Sequence, residues 1–327
     1  MKNTMTMTGL GLGLLSVVAL SACGTTEAGS NDDESSGEEI VLTDSRDKEI
    51  TLDGPAEDVV ALEWKEAEIL TSLGVDPVGV AGMDGYQTWA GAIEPLDEDV
   101  TTDVGTRKEP SEDAIAKLNP DLVVAEMRNE ELVNKLEEFV PVLVTEGNTE
   151  DDPLGSTARD VERIATATGT EDAAEELLND VDERIDEVTQ AISESDNADV
   201  PFLLADGHVQ DSAVTVRLFT ERSNLGAVAK AVGLENAWDG ESDGQWGLSN
   251  TDVESLAEFK DNDLIFMHSN SDNSNIYTEV LSDNDIWASL EFVQNDRLEE
   301  LPHGTWTFGG PAATLHFLDV LEEIYVG

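Results

Sequence analysis

EDAAEELLNDVDERIDEVTQAISES, residues 171–195, is the segment on which the architecture of this chain depends. Its apolar residues recur at steps of three and four, which places them along one face of an α-helix. They are Ala174, Leu177, Leu178, Val181, Ile185, Val188 and Ile192. The spacing predicts one long amphipathic helix near the middle of the chain.

Short apolar strands alternate with helices on both sides of this segment, a pattern typical of α/β proteins. Strands are predicted at residues 40–42, 50–52, 59–62, 78–81, 122–125, 142–145, 202–205, 214–219 and 264–267. Helices are predicted at residues 65–73, 112–118, 130–139, 153–168, 224–232, 252–259 and 311–325. Ser111 is the expected N-cap of the second of these helices. Residues 85–89 are predicted to form a loop.

The two halves of the chain also echo each other. Residues 115–124, IAKLNPDLVV, can be set beside residues 256–265, LAEFKDNDLI. Both stretches read as the end of a helix, a short polar segment that terminates it, and a buried strand. The alternative explanation of this similarity is that α/β units resemble one another in general. We therefore predict two similar α/β lobes, residues 40–170 and 196–327, bridged by one long helix at residues 171–195.

The first 22 residues read as a signal peptide, because Lys2 precedes an apolar run too short to span a bilayer. LSACG at residues 20–24 resembles the lipobox of bacterial lipoproteins, which implies cleavage before Cys23 and lipid attachment to it. Cys23 is the only cysteine, and a free thiol is the alternative reading. Residues 23–39 are rich in Gly, Ser and acids, and are predicted to be a disordered, lipid-anchored tether. The chain is thus expected on the extracytoplasmic side of the cell membrane.

Charge excludes several classes of partner. The 327 residues include 17 Lys and Arg and 72 Asp and Glu, for a net charge of -55. A chain this acidic is not expected to bind nucleic acid or to adhere to an anionic membrane by charge. Hydrophobic residues still make up 39%, enough to build a core. An acidic surface suited to high salt is the favoured explanation, and an ordinary acidic secreted protein is the alternative.

No enzyme signature is present: the chain has neither a Gly-x-Ser-x-Gly elbow nor a phosphate-binding loop of the Gly-Lys-Ser/Thr type. Its histidines lack the spacing of metal ligands, so no catalytic residue, metal site or cofactor is predicted, and a site assembled from distant residues stays open. The histidines are His208, His268, His303 and His316.

Arginine is informative because it is scarce. Arg107 lies in a loop after a short strand, and Arg128 follows the strand at 122–125, where open α/β sheets bind ligands. Arg217 lies between apolar residues of another strand. A guanidinium grips carboxylates in a bidentate fork, so these three are candidate ligand-binding residues. Ion pairs with neighbouring acids are the alternative.

Aromatic residues in or near glycine-containing loops supply candidate walls for a cleft. They are Trp64, Tyr86, Trp89, Trp246 and Trp306.

These residues together resemble the iron–siderophore substrate-binding proteins of ABC importers, the subgroup with a rigid linking helix. The resemblance runs from about residue 40 to the end. The stretches that carry it are VVALEW at 59–64, Glu68, LGV at 73–75, GYQTW at 85–89, DVGTRKEP at 103–110, NPDLV at 119–123, RLFT at 217–220 and TWTFGGP at 305–311.

The resemblance implies two α/β lobes with the ligand cleft between them. It implies capture of a ferric siderophore, of carboxylate (citrate) or hydroxamate type, by a monomer that delivers it to ABC permease subunits. The siderophore wraps the iron, so the protein supplies no metal ligand. The family docks through one Glu on each lobe. Glu68, expected to face outward, and Glu254 match those positions.

Two alternatives remain. A cobalamin or haem carrier of the same fold would also need aromatic walls, although three pocket arginines suit those ligands less. A lipoprotein hydrolase with an unrecognised carboxylate site is the alternative from another class.

Overall fold

The computed structural model describes residues 39–126, 130–210, 213–269 and 275–327. At the start of these, the strands predicted at residues 40–42 and 50–52 are present as β1 (Ile40–Thr43) and β2 (Glu49–Leu52), which pair antiparallel in a hairpin. Asp47 takes a positive φ of 61° in the turn, a conformation that short polar residues tolerate. The predicted signal peptide, Cys23, the predicted tether except Glu39, and Arg128 lie outside the described residues.

The N-terminal lobe is built on a five-stranded parallel sheet in the order β5-β4-β3-β6-β7. Its strands are β3 (Val59–Ala61), β4 (Gly79–Val80), β5 (Thr102–Asp103), β6 (Leu122–Glu126) and β7 (Val142–Thr145). The strand order reverses between β3 and β6, and such a switch point opens a crevice at the carboxyl ends of the strands.

Four helices accompany this sheet: α1 (Trp64–Ser72), α2 (Met83–Trp89), α3 (Glu112–Leu118) and α4 (Glu130–Leu136). Ser111 Oγ accepts from the Ala114 N–H, which confirms the predicted cap of α3. The prediction of a loop at residues 85–89 is wrong, because these residues belong to α2. Gly82, at φ 71°, turns the chain into α2, and Tyr86 packs into the core below.

Two helices lead from the N-terminal sheet to the C-terminal sheet, α5 (Pro153–Thr168) and α6 (Glu171–Ser193). At 1.5 Å per residue, the 23 residues of α6 extend about 35 Å. Ala174, near its start, belongs to the N-terminal core, whereas Val188 and Ile192, near its end, belong to the C-terminal core. The helix predicted from the apolar spacing is therefore present and reaches both cores.

The C-terminal lobe has a mixed five-stranded sheet in the order β10-β9-β8-β11-β12. Its strands are β8 (Phe202–Gln210), β9 (Ala213–Phe219), β10 (Leu248–Thr251), β11 (Ile265–His268) and β12 (Leu298–Glu300). β8, β11 and β12 run parallel, while β8, β9 and β10 pair antiparallel. The lobes are thus similar α/β units, and the antiparallel β8–β9 pair distinguishes the second from the first.

The helices of this lobe are α7 (Asn224–Ala231), α8 (Glu291–Gln294) and α9 (Pro311–Val326). The α-helix predicted at residues 252–259 is instead a short 3₁₀-helix over Ser255–Phe259. Asp252 accepts from the N–H and the hydroxyl of Ser255, and this local turn fixes the entry to that helix.

Candidate functional site

A row of aromatic rings crosses from one lobe to the other. Trp306, in the segment between β12 and α9, lies with its ring centroid 4.9 Å from that of Trp64 and 6.0 Å from that of Trp89. It also lies 5.3 Å from Phe308, whose ring is 6.4 Å from Trp246 and 6.0 Å from Phe219. We call these six residues the aromatic row.

The two ends of the aromatic row rest on different cores. Trp64, Trp89 and Trp306 pack against the N-terminal core, whereas Trp246 and Phe308 pack against the C-terminal core. Residues 306–308 therefore carry the row across the boundary between the lobes. Trp306, Phe308 and Trp246 are each only partly buried, so the row presents an apolar surface there.

Arg107 lies over the N-terminal end of the row. Its guanidinium carbon is 4.4 Å from the Trp64 ring centroid and 5.6 Å from that of Trp306, within cation–π range. Its Nε donates to Glu63 Oε2 at 2.6 Å, and its Nη2 is 2.5 Å from the same oxygen. The side chain is 24% exposed. Arg107 is therefore both ion-paired and accessible from the aromatic row.

The Trp64 ring beneath Arg107 is fixed on two sides. Its Nε1 donates to the Ala81 carbonyl at 3.0 Å, at the end of β4. Gly85 of α2 lies so close that a Cβ there would be 2.3 Å from Trp64 Cζ2. This close approach explains the glycine in GYQTW, because any side chain at residue 85 would displace the ring.

Arg217 lies at the C-terminal end of the row. It sits on β9 directly opposite Asp206 on β8, and the antiparallel register brings the two side chains together. Arg217 Nε donates to Asp206 Oδ1 at 2.7 Å, and Nη2 binds Oδ2. The guanidinium carbon is 5.8 Å from the Phe308 ring centroid, and the side chain is 34% exposed.

Tyr86 was predicted as a wall of the cleft, and that prediction is wrong. The residue is fully buried in the N-terminal core, where its hydroxyl donates to the Glu94 carbonyl at 2.7 Å. This burial also raises the pKa of Tyr86. Tyr86 is the buried residue of α2, on the side of the helix that faces the core.

The outward orientation predicted for Glu68 is also wrong. Glu68 is 1% exposed, and its carboxylate accepts hydrogen bonds of 3.0 Å from the N–H groups of Gly310 and Ala313. The start of α9, from the C-terminal lobe, packs onto α1 at this point, so Glu68 joins the lobes. Burial raises the pKa of Glu68 to about 7. Glu254 is exposed, as its docking role requires, and that role stays a prediction.

A second buried acid lies near the carboxyl edge of the N-terminal sheet. Glu66 Oε1 accepts from Thr145 Oγ1 at 2.7 Å, while Lys65 pairs with Asp160 nearby. Burial, reinforced by the charge of Glu126, raises the pKa of Glu66. Burial therefore favours the neutral form of Glu66 over its carboxylate.

Two amide side chains hold the segment that bears Trp306 and Phe308. Asn148 Nδ2 donates to the Phe308 carbonyl at 3.2 Å, and Asn224 Nδ2 donates to the Gly309 carbonyl at 2.9 Å. Among the described residues, the buried Trp306 Nε1 has no hydrogen-bond partner. This unpartnered indole N–H lies beside Arg107 and Phe308 in the aromatic row.

The sequence predictions missed Glu63, Asp206 and Phe308. Phe308 and Glu63 lie inside the stretches TWTFGGP and VVALEW that carry the resemblance, but neither was given a role, and Asp206 had no signal among 72 Asp and Glu residues. Within the described ranges, no group of three or more His, Cys, Asp or Glu side chains is arranged to hold a metal ion. Nor, over those ranges, is any helix both long and apolar enough to cross a bilayer.

Comparisons with known proteins agree with this architecture. The sequence profile of the periplasmic binding protein family matches residues 59–304. The iron(3+)-hydroxamate-binding protein FhuD of Escherichia coli is 26% identical over 273 residues, covering 82% of this chain and 87% of that protein. The Fe(3+)-citrate-binding protein YfmC of Bacillus subtilis is 24% identical over 315 residues, covering 95% of each.

Solved structures share the fold. FhuD from Vibrio cholerae with bound Fe3+–Desferal has a TM-score of 0.71 and 23% identity, covering 83% of this chain and 98% of that one. The petrobactin-binding protein YclQ of Bacillus subtilis has a TM-score of 0.73 and 19% identity, covering 89% and 99%.

Proposed function

Because the chain belongs to the periplasmic binding protein family, we propose that it captures a ferric siderophore between its lobes and delivers it to an ABC permease. The single observation that carries this proposal is the aromatic row crossing the lobe boundary, with an accessible arginine at each end. The ligand would be of hydroxamate or citrate type, in keeping with the names of the relatives FhuD and YfmC.

The chemistry of the row suits such a chelate. A siderophore encloses its iron in carbon chains or rings and presents oxygen atoms at the surface of the complex. Aromatic faces cover the apolar parts, while the guanidiniums of Arg107 and Arg217 donate hydrogen bonds to the oxygens. The iron is cargo that the siderophore already holds, and the protein acts as a binding protein, with no reaction to catalyse.

We propose the following organisation around this site. Residues 1–22 are removed as a signal peptide, Cys23 carries the lipid, and residues 23–39 tether the chain to the outer face of the cell membrane. Residues 40–170 and 196–327 form the lobes, and residues 171–195 join them. The relatives YfiY and YhfQ of Bacillus subtilis, 24% and 25% identical, are named lipoproteins, which supports the anchor. The chain works as a monomer.

Titration of the intrinsic tryptophan fluorescence tests the proposed ligand class. A ferric hydroxamate or ferric citrate complex is expected to quench the fluorescence saturably, because four of the six tryptophans belong to the aromatic row. The iron-free siderophore serves as the control for a nonspecific effect. Quenching by cobalamin or haem, with none by any ferric siderophore, would replace this function with that of a macrocycle carrier. Turnover of a carboxylic ester would point to a hydrolase.

Docking to the permease is proposed through Asp113 and Glu254, one on each lobe. When the alignment of residues 115–124 with residues 256–265 is extended by two residues towards the N-terminus, Asp113 aligns with Glu254. Both side chains are exposed. Asp113 lies in the first turn of α3, and Glu254 precedes the 3₁₀-helix that leads towards β11. Asp113 therefore takes the place that Glu68, being buried, cannot take.

Changing Asp113→Arg together with Glu254→Arg is expected to abolish uptake of the ferric siderophore and leave its binding unchanged. Two exposed acids would dock on basic residues of the permease, and the reversed charges would repel such residues. Uptake of ⁵⁵Fe by cells and fluorescence titration of the purified protein measure the two effects. The pair Glu175→Arg and Glu183→Arg, on the exposed face of α6, makes the same change in net charge and should transport normally. Normal uptake by the docking variant would refute this surface.

A further inference from the structure

The two cleft arginines are each neutralised by a carboxylate of the protein itself. We propose that Glu63 and Asp206 determine the charge of the accepted ligand, so that the cleft prefers neutral or cationic ferric chelates to anionic ones. The inference rests on the proposed function, and it narrows the ligand class from hydroxamate- or citrate-type ferric siderophores to those of trihydroxamate type.

The Arg107–Glu63 pair is the first part of the evidence. Both Nε and Nη2 of Arg107 contact Glu63 Oε2, and the Glu63 side chain is only 6% exposed. A carboxylate this close and this buried cancels most of the arginine's charge as a ligand in the cleft would sense it. Arg107 still has N–H donors on Nη1, so it can orient an oxygen atom without offering a net positive charge.

The Arg217–Asp206 pair repeats this arrangement on the other lobe. Here the fork is bidentate, with Nε on Oδ1 and Nη2 on Oδ2, and Asp206 is 10% exposed in its side chain. The strand register holds the pair, and Tyr277 Oη donates to the Asp206 carbonyl at 2.7 Å, which fixes the backbone. An approaching anion would have to displace a carboxylate that the fold itself holds in place.

The charge of the whole chain acts in the same direction. With a net charge of -55, the background potential around the cleft is negative, and salt screens it only between groups farther apart than the Debye length. A ligand within the cleft contacts the arginine pairs at short range, where screening is weak. Two neutral pairs cannot compensate the charge of a ferric citrate complex, which is an anion.

A ferric trihydroxamate avoids this conflict. Three hydroxamate anions balance the three positive charges of iron, so the complex is neutral, and a free amine on the ligand makes it a cation. Its hydroxamate oxygens accept hydrogen bonds from Arg107 and Arg217, and its hydrocarbon linkers cover Trp306 and Phe308. The aromatic faces also attract a cation.

The test compares three ligands on the purified full chain by fluorescence titration. These are a neutral ferric trihydroxamate, a ferric trihydroxamate with a free amine, and ferric citrate with excess citrate. The wild-type protein is expected to bind both trihydroxamates at least about tenfold more tightly than ferric citrate, a modest electrostatic difference for charges at close range. The preference of the wild-type protein is measurable without any variant.

The variants Glu63→Gln and Asp206→Asn then assign this preference to the two acids. Each variant replaces the carboxylate with an amide of the same shape and frees one arginine charge. Each should therefore improve ferric citrate affinity by about tenfold and weaken binding of the amine-bearing chelate. Glu137→Gln is the matched control, because Glu137 pairs with Arg46 and Lys48 beside the β1–β2 hairpin, away from the aromatic row. That control should leave all three affinities unchanged.

The outcomes separate this inference from the function on which it rests. Tightest wild-type binding of ferric citrate would overturn the charge preference while supporting siderophore capture. Failure of Glu63→Gln and Asp206→Asn to shift the preference, in proteins with unchanged circular dichroism, would overturn the role of the two acids. Absence of binding by all three chelates would overturn the proposed function itself.

Discussion

Replacing Arg107 with alanine is expected to weaken binding of the ferric siderophore by about 2–5 kcal/mol, the range for truncating one member of a desolvated charge pair at an interface. The variant loses the N–H donors beside Trp64 and Trp306. It also removes the guanidinium that neutralises the buried carboxylate of Glu63, so the negative charge of that carboxylate acts on the oxygen atoms of the ligand. Fluorescence titration of the variant and the wild-type protein with the same ferric chelate measures the loss.

Two further variants make the Arg107 result specific. Arg107→Lys keeps the charge and loses the planar fork, so its affinity should fall between those of the wild type and the alanine variant. Arg184→Ala removes an ion-paired arginine of α6 that binds Asp319 and Glu322, outside the aromatic row, and should leave affinity unchanged. Wild-type affinity in both Arg107→Ala and Arg217→Ala would refute the role given to the arginines.

Replacing Glu68 with alanine is expected to destabilise the fold by about 3–5 kcal/mol, because two buried N–H groups at the start of α9 lose their acceptor. For a chain of this size, that corresponds to a fall in Tm of roughly 5–8 °C. Differential scanning calorimetry provides the measurement. A Tm within a degree of the wild type would show that the contact between α1 and α9 adds nothing to stability.

The effect of Glu68 also depends on pH. Its pKa is raised by burial to about 7 in the folded chain, above the usual value of about 4.5, so the folded state binds the proton more tightly. The stability contributed by this proton is fully present below about pH 4.5 and is lost as the pH rises through 7. The alanine variant should therefore be more strongly destabilised at pH 5 than at pH 8.

Glu68→Gln is the matched control for this pH dependence. Glu68 Oε1 accepts from both Gly310 and Ala313, and Oε2 also accepts from Gly310. Glutamine retains one oxygen that can accept from both N–H groups, and it mimics the protonated acid. Its stability should approach that of the wild type at pH 5 and match or exceed it at pH 8. A glutamine variant as unstable as the alanine variant at both pH values would contradict this assignment.

The sequence alone predicted the parts of the fold that local patterns determine. The apolar spacing predicted a long helix over residues 171–195. The observed helix begins at the same residue and ends two residues earlier, at Ser193. Ser111 capped α3 as expected, and the apolar runs marked most of the central strands. These features depend on neighbours a few residues apart, which a sequence displays directly.

The burial of Glu68 and the two acid–arginine pairs depend on long-range packing, and they were not predictable from local patterns. Residues 64–70 of α1 are buried all round the helix, so the amphipathic pattern that would mark Glu68 as inward is missing. The pairing of Asp206 with Arg217 requires the β8–β9 register, and that of Glu63 with Arg107 requires the whole N-terminal sheet. In a chain with 72 acids, no local signal singles out the two that neutralise the cleft.

Calorimetric titration of the purified chain with a neutral ferric trihydroxamate is the most direct test of capture between the lobes. We expect saturable binding of one chelate per chain with a Kd of about 1 μM or below, equivalent to about 8 kcal/mol, and much weaker binding to the Trp306→Ala variant. The iron-free ligand should bind weakly or not at all. Absence of heat and of saturation with any ferric chelate, or equal affinity in Trp306→Ala, would contradict a siderophore site on the aromatic row.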